Sequence, residues 1–326
     1  MPIAAGADPA AVRAAAAELA AGGLVAFATE TVYGLGARAD DDLAVARIYA
    51  AKGRPAGHPL IVHVADAAAA LEFAASISPA AQRLMAAFWP GPLTVIVPRR
   101  AGRGAAAAGG QASIGLRVPA HPVAQALLRE AAALGVAGVA APSANRFGRV
   151  SPTRAAHVVQ EFGAALTVLD GGECAVGIES AIVDCTRPQP ALLRPGQLTP
   201  AALAAVVGGP LAAPDAASPR ASGTLASHYA PTAPLRLFSS VALRHLLQSV
   251  PPQTSRGVGV YSRVVLAVGA GWVFRPMPDD AADTAHELFA VLRDFDAAGV
   301  AAIWVEQPPP GPEWDGVRDR LQRAAA

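Results

Sequence analysis

Residues 24–64 read LVAFATETVYGLGARADDDLAVARIYAAKGRPAGHPLIVHV. Leu24 to Ala28 is a short unbroken apolar run, the mark of a buried strand. Asp40 to Asp42 can cap a helix, whose apolar spacing carries it to about Ala51. Gly53 and Pro55 break that helix. Pro59 to Val64 is apolar again and reads as a second strand. Strand, helix and strand in one short stretch predict an α/β domain. Gly34, Gly36 and Ala39 match G-x-G-x-x-A, a dinucleotide fingerprint. Thr29 to Tyr33 nevertheless separate the strand from the first glycine, and no acidic residue closes the next strand where a ribose would sit. The glycines are therefore read as a tight turn after the strand.

The same alternation extends outward. Asp8-Pro9 opens a helix to about Ala21, ended by Gly22-Gly23. Ser78-Pro79 opens another, stopped at Trp89-Pro90-Gly91-Pro92. Strands are expected near Leu93–Val97, Ser113–Val118 and Val136–Ala141, with a helix between the last two. Thr153 to Phe162 reads as helix and Ile178 to Asp184 as strand. Together these predict a mixed sheet flanked by helices. The Gly/Ala/Arg stretch Arg99–Gly110 reads as a solvated loop. After Val207 the composition changes to GGPLAAPDAASPRASGTLASHYAPTAP (208–234), a linker or ordered loop. From Leu235 the alternation returns: Val258–Tyr261 and Val300–Val305 as strands, Asp283–Asp296 as helix. The expected organisation is a larger α/β domain over 1–207, a linker over 208–234 and a smaller α/β domain over 235–326.

Composition bounds the function. The 326 residues carry 26 Lys+Arg against 25 Asp+Glu, a net charge of +1. That excludes a nucleic-acid binder driven by bulk charge, though not a local basic patch. Much of the 53% hydrophobic content is alanine. No apolar run reaches the ~18 residues of a transmembrane helix. Asp8, Arg13 and Glu18 interrupt the N-terminal alanines, so no signal peptide is expected. Cys174 and Cys185 form no zinc pattern or disulfide framework, which fits a reducing cytoplasm. Walker, HExxH, GxSxG and EF-hand patterns are missing from the sequence.

Three elements carry chemistry. Lys52-Gly53-Arg54-Pro55 sets a point charge and a bidentate fork on a stiffened loop, which suits a polyphosphate. The plain alternative is a solvated basic helix end. Pro142-Ser143-Ala144-Asn145 follows a strand that ends at Ala141, where open α/β sheets bind ligands. Ser and Asn there can bond phosphate oxygens or a metal-bound water; an ordinary turn is the alternative. Arg117 ends a strand before Pro119 and can grip a carboxylate, or form a surface ion pair.

Joined with WPGPLTVIVP (89–98), SIGLRVPAHP (113–122), APSANRFGRVSPT (141–153), GIESAIVDC (177–185) and LLRPG (192–196), these stretches resemble the YrdC-type domain of threonylcarbamoyl-AMP synthases. The likeness covers roughly residues 8–200, and Lys-x-Arg with Ser-x-Asn is its signature. SHYAP (227–231) and the domain after it resemble the longer, two-domain branch. The resemblance implies a YrdC-like domain with a twisted mixed β-sheet flanked by helices, plus a smaller Rossmann-like α/β domain. It implies that L-threonine, bicarbonate or CO2, and ATP give L-threonylcarbamoyladenylate and pyrophosphate, with Mg²⁺ on the triphosphate. Other proteins then carry the group to N6 of an adenosine in tRNA.

Residue by residue, the resemblance places Lys52, Arg54, His58, Ser113, Ser143, Asn145, Ser151, Arg194 and Tyr229 on the ATP side. It places Thr31, His63, Arg117, Ala141 (through its backbone) and Ser180 on the threonine side, with no metal cluster of protein side chains. His58 departs from the asparagine common in the family, but can still donate a hydrogen bond. In two-domain relatives the linker passes over the site and can shield labile intermediates, so Ser222, His228 and Tyr229 are expected to reach the nucleotide. A tether is the alternative. Two further readings compete. Hydrogenase-maturation carbamoyltransferases share a related domain but carry Cys clusters that this chain lacks. An RNA-binding module, with an RNA contact in a basic concavity, is disfavoured by the near-neutral charge.

Overall fold

A computed structural model describes residues 3–249, 257–265 and 272–326. The chain divides into two compact units. The first comprises Met1–Phe147 and Ser151–Thr224, the second Gly148–Val150 and Leu225–Ala326. Of the expected linker, residues 208–224 fall in the first unit and 225–234 in the second.

The strands of the first unit are β1 (Ile3–Ala5), β2 (Val25–Phe27), β3 (Gly34–Arg38), β4 (Ile61–His63), β5 (Leu93–Pro98), β6 (Ser113–Arg117), β7 (Val139–Ala140), β8 (Thr167–Asp170), β9 (Ala181–Asp184) and β10 (Ala191–Arg194). They form one ten-stranded sheet in the order β1-β8-β2-β3-β7-β4-β6-β5-β9-β10. It is mixed: β4 pairs parallel with β6 and β5 parallel with β9, while β5 and β6 run antiparallel. Its helices are α1 (Pro9–Ala20), α2 (Asp42–Lys52), α3 (Pro79–Phe88), α4 (Pro122–Ala133), α5 (Ala155–Phe162) and α6 (Pro200–Val207). A proline near the start and a capping side chain open α1, α3, α4 and α6, with Asp8, Ser78, His121 and Thr199 as caps. Asp41 caps α2, accepting from Leu43 N at 2.9 Å and Ala44 N at 3.1 Å.

Strand side chains alternate between faces, and the faces differ. Ala26, Val62, Val95, Leu116 and Val183 turn to one face and join the main core with Val45, Ile48, Leu84 and Val158 of the helices. On the other face Val25, Phe27, Val139 and Leu169 pack under α1 and α4. Farther along that second face the same parity yields Ile61 and His63 on β4, Ser113, Gly115 and Arg117 on β6, and Thr94 and Ile96 on β5. Ile61, Ile96, Ile182, Ala191 and Leu193 there pack against Ala212 and Ala221 instead of a helix. Residues 208–224 are therefore a strap across the polar half of the face.

Two expectations need correction. Gly34 and Gly36 lie in β3, paired antiparallel with β2, and not in a turn. Gly36 is required for packing, since a Cβ would sit 2.8 Å from Val139 Cγ1 and 2.9 Å from Phe27 Cε1. The stretch Arg99–Gly110 is not a solvated loop either. Ala107 and Ala108 are buried, and the Ala107 carbonyl accepts from Leu60 N at 2.7 Å. Alanine and glycine give the stretch the small profile that this packing needs.

The second unit holds β11 (Leu235–Phe238), α7 (Ser240–Ser249), β12 (Val258–Ser262), β13 (Trp272–Pro276), α8 (Ala281–Ala297), β14 (Ala302–Glu306) and α9 (Asp315–Ala324). Its sheet is wholly parallel in the order β11-β14-β12-β13, as the alternation predicted for an α/β unit. No described helix is long and apolar enough to cross a membrane.

Candidate active site

The candidate site is built from loops and strand ends on the strap-covered half of the face. Lys52 is the last residue of α2, held there by Gly53 in the left-handed conformation at φ +64°. It does not project into water: its side chain is buried, and Nζ donates to the Ser143 carbonyl at 2.5 Å and to the Asn145 carbonyl. The Lys-x-Arg and Ser-x-Asn elements, far apart in sequence, are thereby joined directly. Burial, then the nearby Arg54 charge, holds the Lys52 ammonium well below its ordinary pKa; Glu161 and Glu179 pull the other way.

Arg54 is also buried, donating to the carbonyls of His58 at 3.4 Å and Pro59 at 3.0 Å and to Ser222 Oγ of the strap at 3.4 Å. Its guanidinium stands over the Phe147 ring at 5.6 Å, and His58 meets the same ring edge-on. Burial, and then Arg54 and Arg220, lower the His58 pKa. Arg194, buried on β10, donates twice to the Ser180 carbonyl at 3.0 and 2.9 Å and once to the Ser222 carbonyl at 2.8 Å. It also reaches Ser180 Oγ at 3.2 Å, and that hydroxyl bonds Thr94 Oγ1 at 2.8 Å. Ser113 lines the small cavity beneath Arg220 and Ser222, with Ile61, Thr94 and Gly115. Ser151, fully buried, donates to Glu179.

The threonine-side residues cluster around Arg117. Its Nε donates to the Gly91 carbonyl at 3.1 Å, one terminal nitrogen to Thr31 Oγ1 at 2.9 Å, and the other to Glu30 at 2.6 Å. Glu30 also accepts from Ala120 N at 3.0 Å. His63 is the register partner of Arg117 on the neighbouring strand and stands edge-on to Phe27 at 6.2 Å. Burial, then the Arg117 charge, pushes its pKa down to about 3, so the ring is neutral at ordinary pH. Ala141 ends the strand run beside them, its amide donating to the Ile61 carbonyl at 2.9 Å.

The structure thus brings together Lys52, Arg54, Ser143 and Asn145, and joins Thr31 to Arg117 and Ser180 to Arg194. Tyr229 and His228 belong to the second unit. There Tyr229, at φ +61°, stacks on Phe289 at 5.5 Å with Arg320 over its ring at 5.4 Å. Sequence reasoning missed Glu30 and Glu179, both buried acids in the cluster. A signal existed: each directly precedes an assigned residue, Thr31 or Ser180, in an otherwise uncharged stretch.

One family model, described as "Telomere recombination", matches residues 17–196, and a second, "Threonylcarbamoyl-AMP synthase, C-terminal domain", matches residues 198–326. The chain belongs to the threonylcarbamoyl-AMP synthase family. The synthase of Bacillus subtilis is 38% identical over 95% of this chain and 92% of its own, and that of Pyrococcus abyssi is 37% identical over 96% and 94%. The fold agrees: the crystal structure of P. abyssi Sua5 complexed with L-threonine superposes with a TM-score of 0.88 at 34% identity, covering 98% of this chain and 95% of that one. The two-unit architecture, a large mixed sheet plus a smaller α/β unit, is therefore that of the two-domain synthases.

Proposed function

We propose that this chain is a nucleotidyltransferase that condenses L-threonine, CO2 or bicarbonate, and ATP into L-threonylcarbamoyladenylate and pyrophosphate. The product would feed the cytoplasmic machinery that modifies N6 of adenosine in tRNA. The observation that carries the reading is the joining of Lys52 to Ser143 and Asn145 beside Arg54, under a strap and next to the Arg117 cluster. A polyanion and an amino acid can be held side by side there, as the threonine complex of the P. abyssi relative supports.

In this reading Lys52, Arg54, His58, Ser113, Ser143, Asn145, Ser151 and Arg194 serve ATP. Thr31, His63, Arg117, Ala141 and Ser180 serve threonine. The unprotonated threonine nitrogen adds to the carbon of CO2 and its proton passes to solvent water, giving a carbamate. A carbamate oxygen then attacks the α-phosphorus, and pyrophosphate leaves with the electrons of the broken P–O bond. Negative charge spreads over the phosphates as this happens, and cations fixed beforehand lower the barrier. A neutral His63 can accept a hydrogen bond from the threonine amine. The strap keeps water from the carbamate and the mixed anhydride. Mg²⁺ would be held on the triphosphate oxygens and would supply positive charge there.

The test is pyrophosphate release and adenylate mass from L-threonine, bicarbonate and Mg-ATP, with thermal unfolding as a control for folding. Product that requires threonine and disappears in Lys52→Ala/Arg54→Ala is expected. ATP binding without that product would overturn the reading.

A further inference from the structure

A groove of about 660 Å³ lies between α3 and α4, apart from the strap-covered face. That volume falls within the 300–1,000 Å³ of small-molecule sites. Leu71, Ile77, Met85, Trp89 and Val118 supply an apolar floor, and Leu71 is half exposed. Asp66 and Arg129 stand on its walls with opposite charges. Among the described residues neither has an ion-pair partner. Asp66 accepts only the Ala69 amide, at 2.8 Å through Oδ1. Arg129 donates to Gln125 Oε1 at 3.2 Å, and Gln125 is itself fixed to the Pro119 carbonyl at 2.8 Å. One anion, one oriented cation and an apolar floor match a free amino acid with an apolar side chain.

We propose that this groove binds such an amino acid, with its ammonium toward Asp66, its carboxylate on Arg129 and its side chain against Leu71, Met85 and Trp89. The wall is shared with the candidate active site. Trp89-Pro90 leads into Gly91, whose carbonyl takes the Arg117 Nε and whose amide donates to the Val118 carbonyl at 2.8 Å. Val118, on the groove floor, follows Arg117 directly. Occupancy therefore changes how Arg117 is presented to threonine, and this coupling rests on the function proposed above, whereas binding in the groove does not.

The test is a ligand-observed NMR titration of the full chain with L-leucine, L-methionine and L-phenylalanine, repeated with saturating L-threonine present. A dissociation constant on the order of 1 mM is expected. It should persist beside threonine and weaken at least about tenfold in Asp66→Asn, in Arg129→Ala and for the amino-acid amides. These exposed substitutions leave the core intact, and Ala86→Trp, which fills the groove, serves as a second blocking variant. No binding up to about 20 mM, displacement by threonine, or equal binding by both charge variants would overturn the site. A threonine affinity shifted by leucine in the wild type and not in Arg129→Ala is expected. Unshifted affinity alongside intact leucine binding would overturn the coupling and leave the site standing.

Discussion

Lowering the pH should destabilise the first unit through His63. The ring is buried on β4, beside Arg117 on β6, and its folded pKa is about 3 against an ordinary 6.5. The native state therefore binds fewer protons than the unfolded chain between those values, and stability falls as pH falls through that window. At pH 5.0 the unfolded imidazole is largely protonated and the folded one is not. The loss relative to pH 7.5 is then RT ln(1 + 10^1.5), about 2 kcal/mol. Urea titrations at the two pH values, read by pulsed hydrogen exchange in the β4 and β6 peptides, score the first unit by itself. Wild type should lose about 2 kcal/mol more than His63→Gln over that step. Carboxylates and the other histidines titrate in both proteins and cancel. Equal losses would mean that His63 accepts a proton in the folded state, and would refute the argument from burial.

Glu30→Gln strips Arg117 of a buried carboxylate while keeping one acceptor. It should cost about 2–3 kcal/mol, lower Tm by roughly 5–10 °C in calorimetry, and raise the threonine KM more than it lowers kcat. Arg194→Ala removes the bonds to Ser180 and to the Ser222 carbonyl. Loss of one charge-assisted bond to the strap, about 1.5 kcal/mol, should speed proteolysis within 210–222 about tenfold while other sites hold. Lys52 starts with a depressed pKa, and triphosphate charge would raise it, so ATP binding should take up protons at pH values between the free and bound pKa. Calorimetry in buffers of different ionisation enthalpy reads that uptake, and a buffer-independent enthalpy would count against the assignment.

Much of this was legible in the sequence because local rules and tertiary structure agree. The Asp8, Asp41 and Ser78 caps and the breaker at Gly53 mark helix ends within a residue or so. What was not legible depends on partners distant in the chain. β3 looked like a turn because its glycines give no apolar alternation. They are there for Val139 and Phe27, which no local pattern announces. β1 and β10, at the sheet's two edges, are too short to carry a periodic signal. The site residues were found through motif resemblance, and their types alone did not separate Lys52 from a solvated helix end. Its burial and its bonds to Ser143 and Asn145 make that distinction. Glu30 stands out as a lone acid beside Thr31, but its partner, Arg117, is 87 residues away and only the fold brings the two together.

The strap and the proposed nucleotide draw on the same groups. Ala212 and Ala221 bring only methyl side chains to the sheet, so apolar burial holds the segment weakly compared with α1 and α4 on the same face, and the backbone of Ala212 adds bonds to Pro190 and Leu192 beside β10. Polar bonds fasten it instead. Arg54 and Arg194 reach Ser222, Arg187 pairs with Asp215 at 2.8 Å, and Gln111 exchanges two bonds with the backbone of Arg220. Partly exposed bonds of this kind are individually weak, so the strap can lift at a cost far below that of unfolding the sheet. Arg54 and Arg194 are also the forks assigned to phosphate. A triphosphate arriving beneath Ser222 would therefore exchange partners with the strap, which keeps the desolvated guanidinia satisfied before and after binding. In the free chain the acceptors of Ser222 already give Arg54 and Arg194 partners on that face, which offsets the cost of burying the two cations.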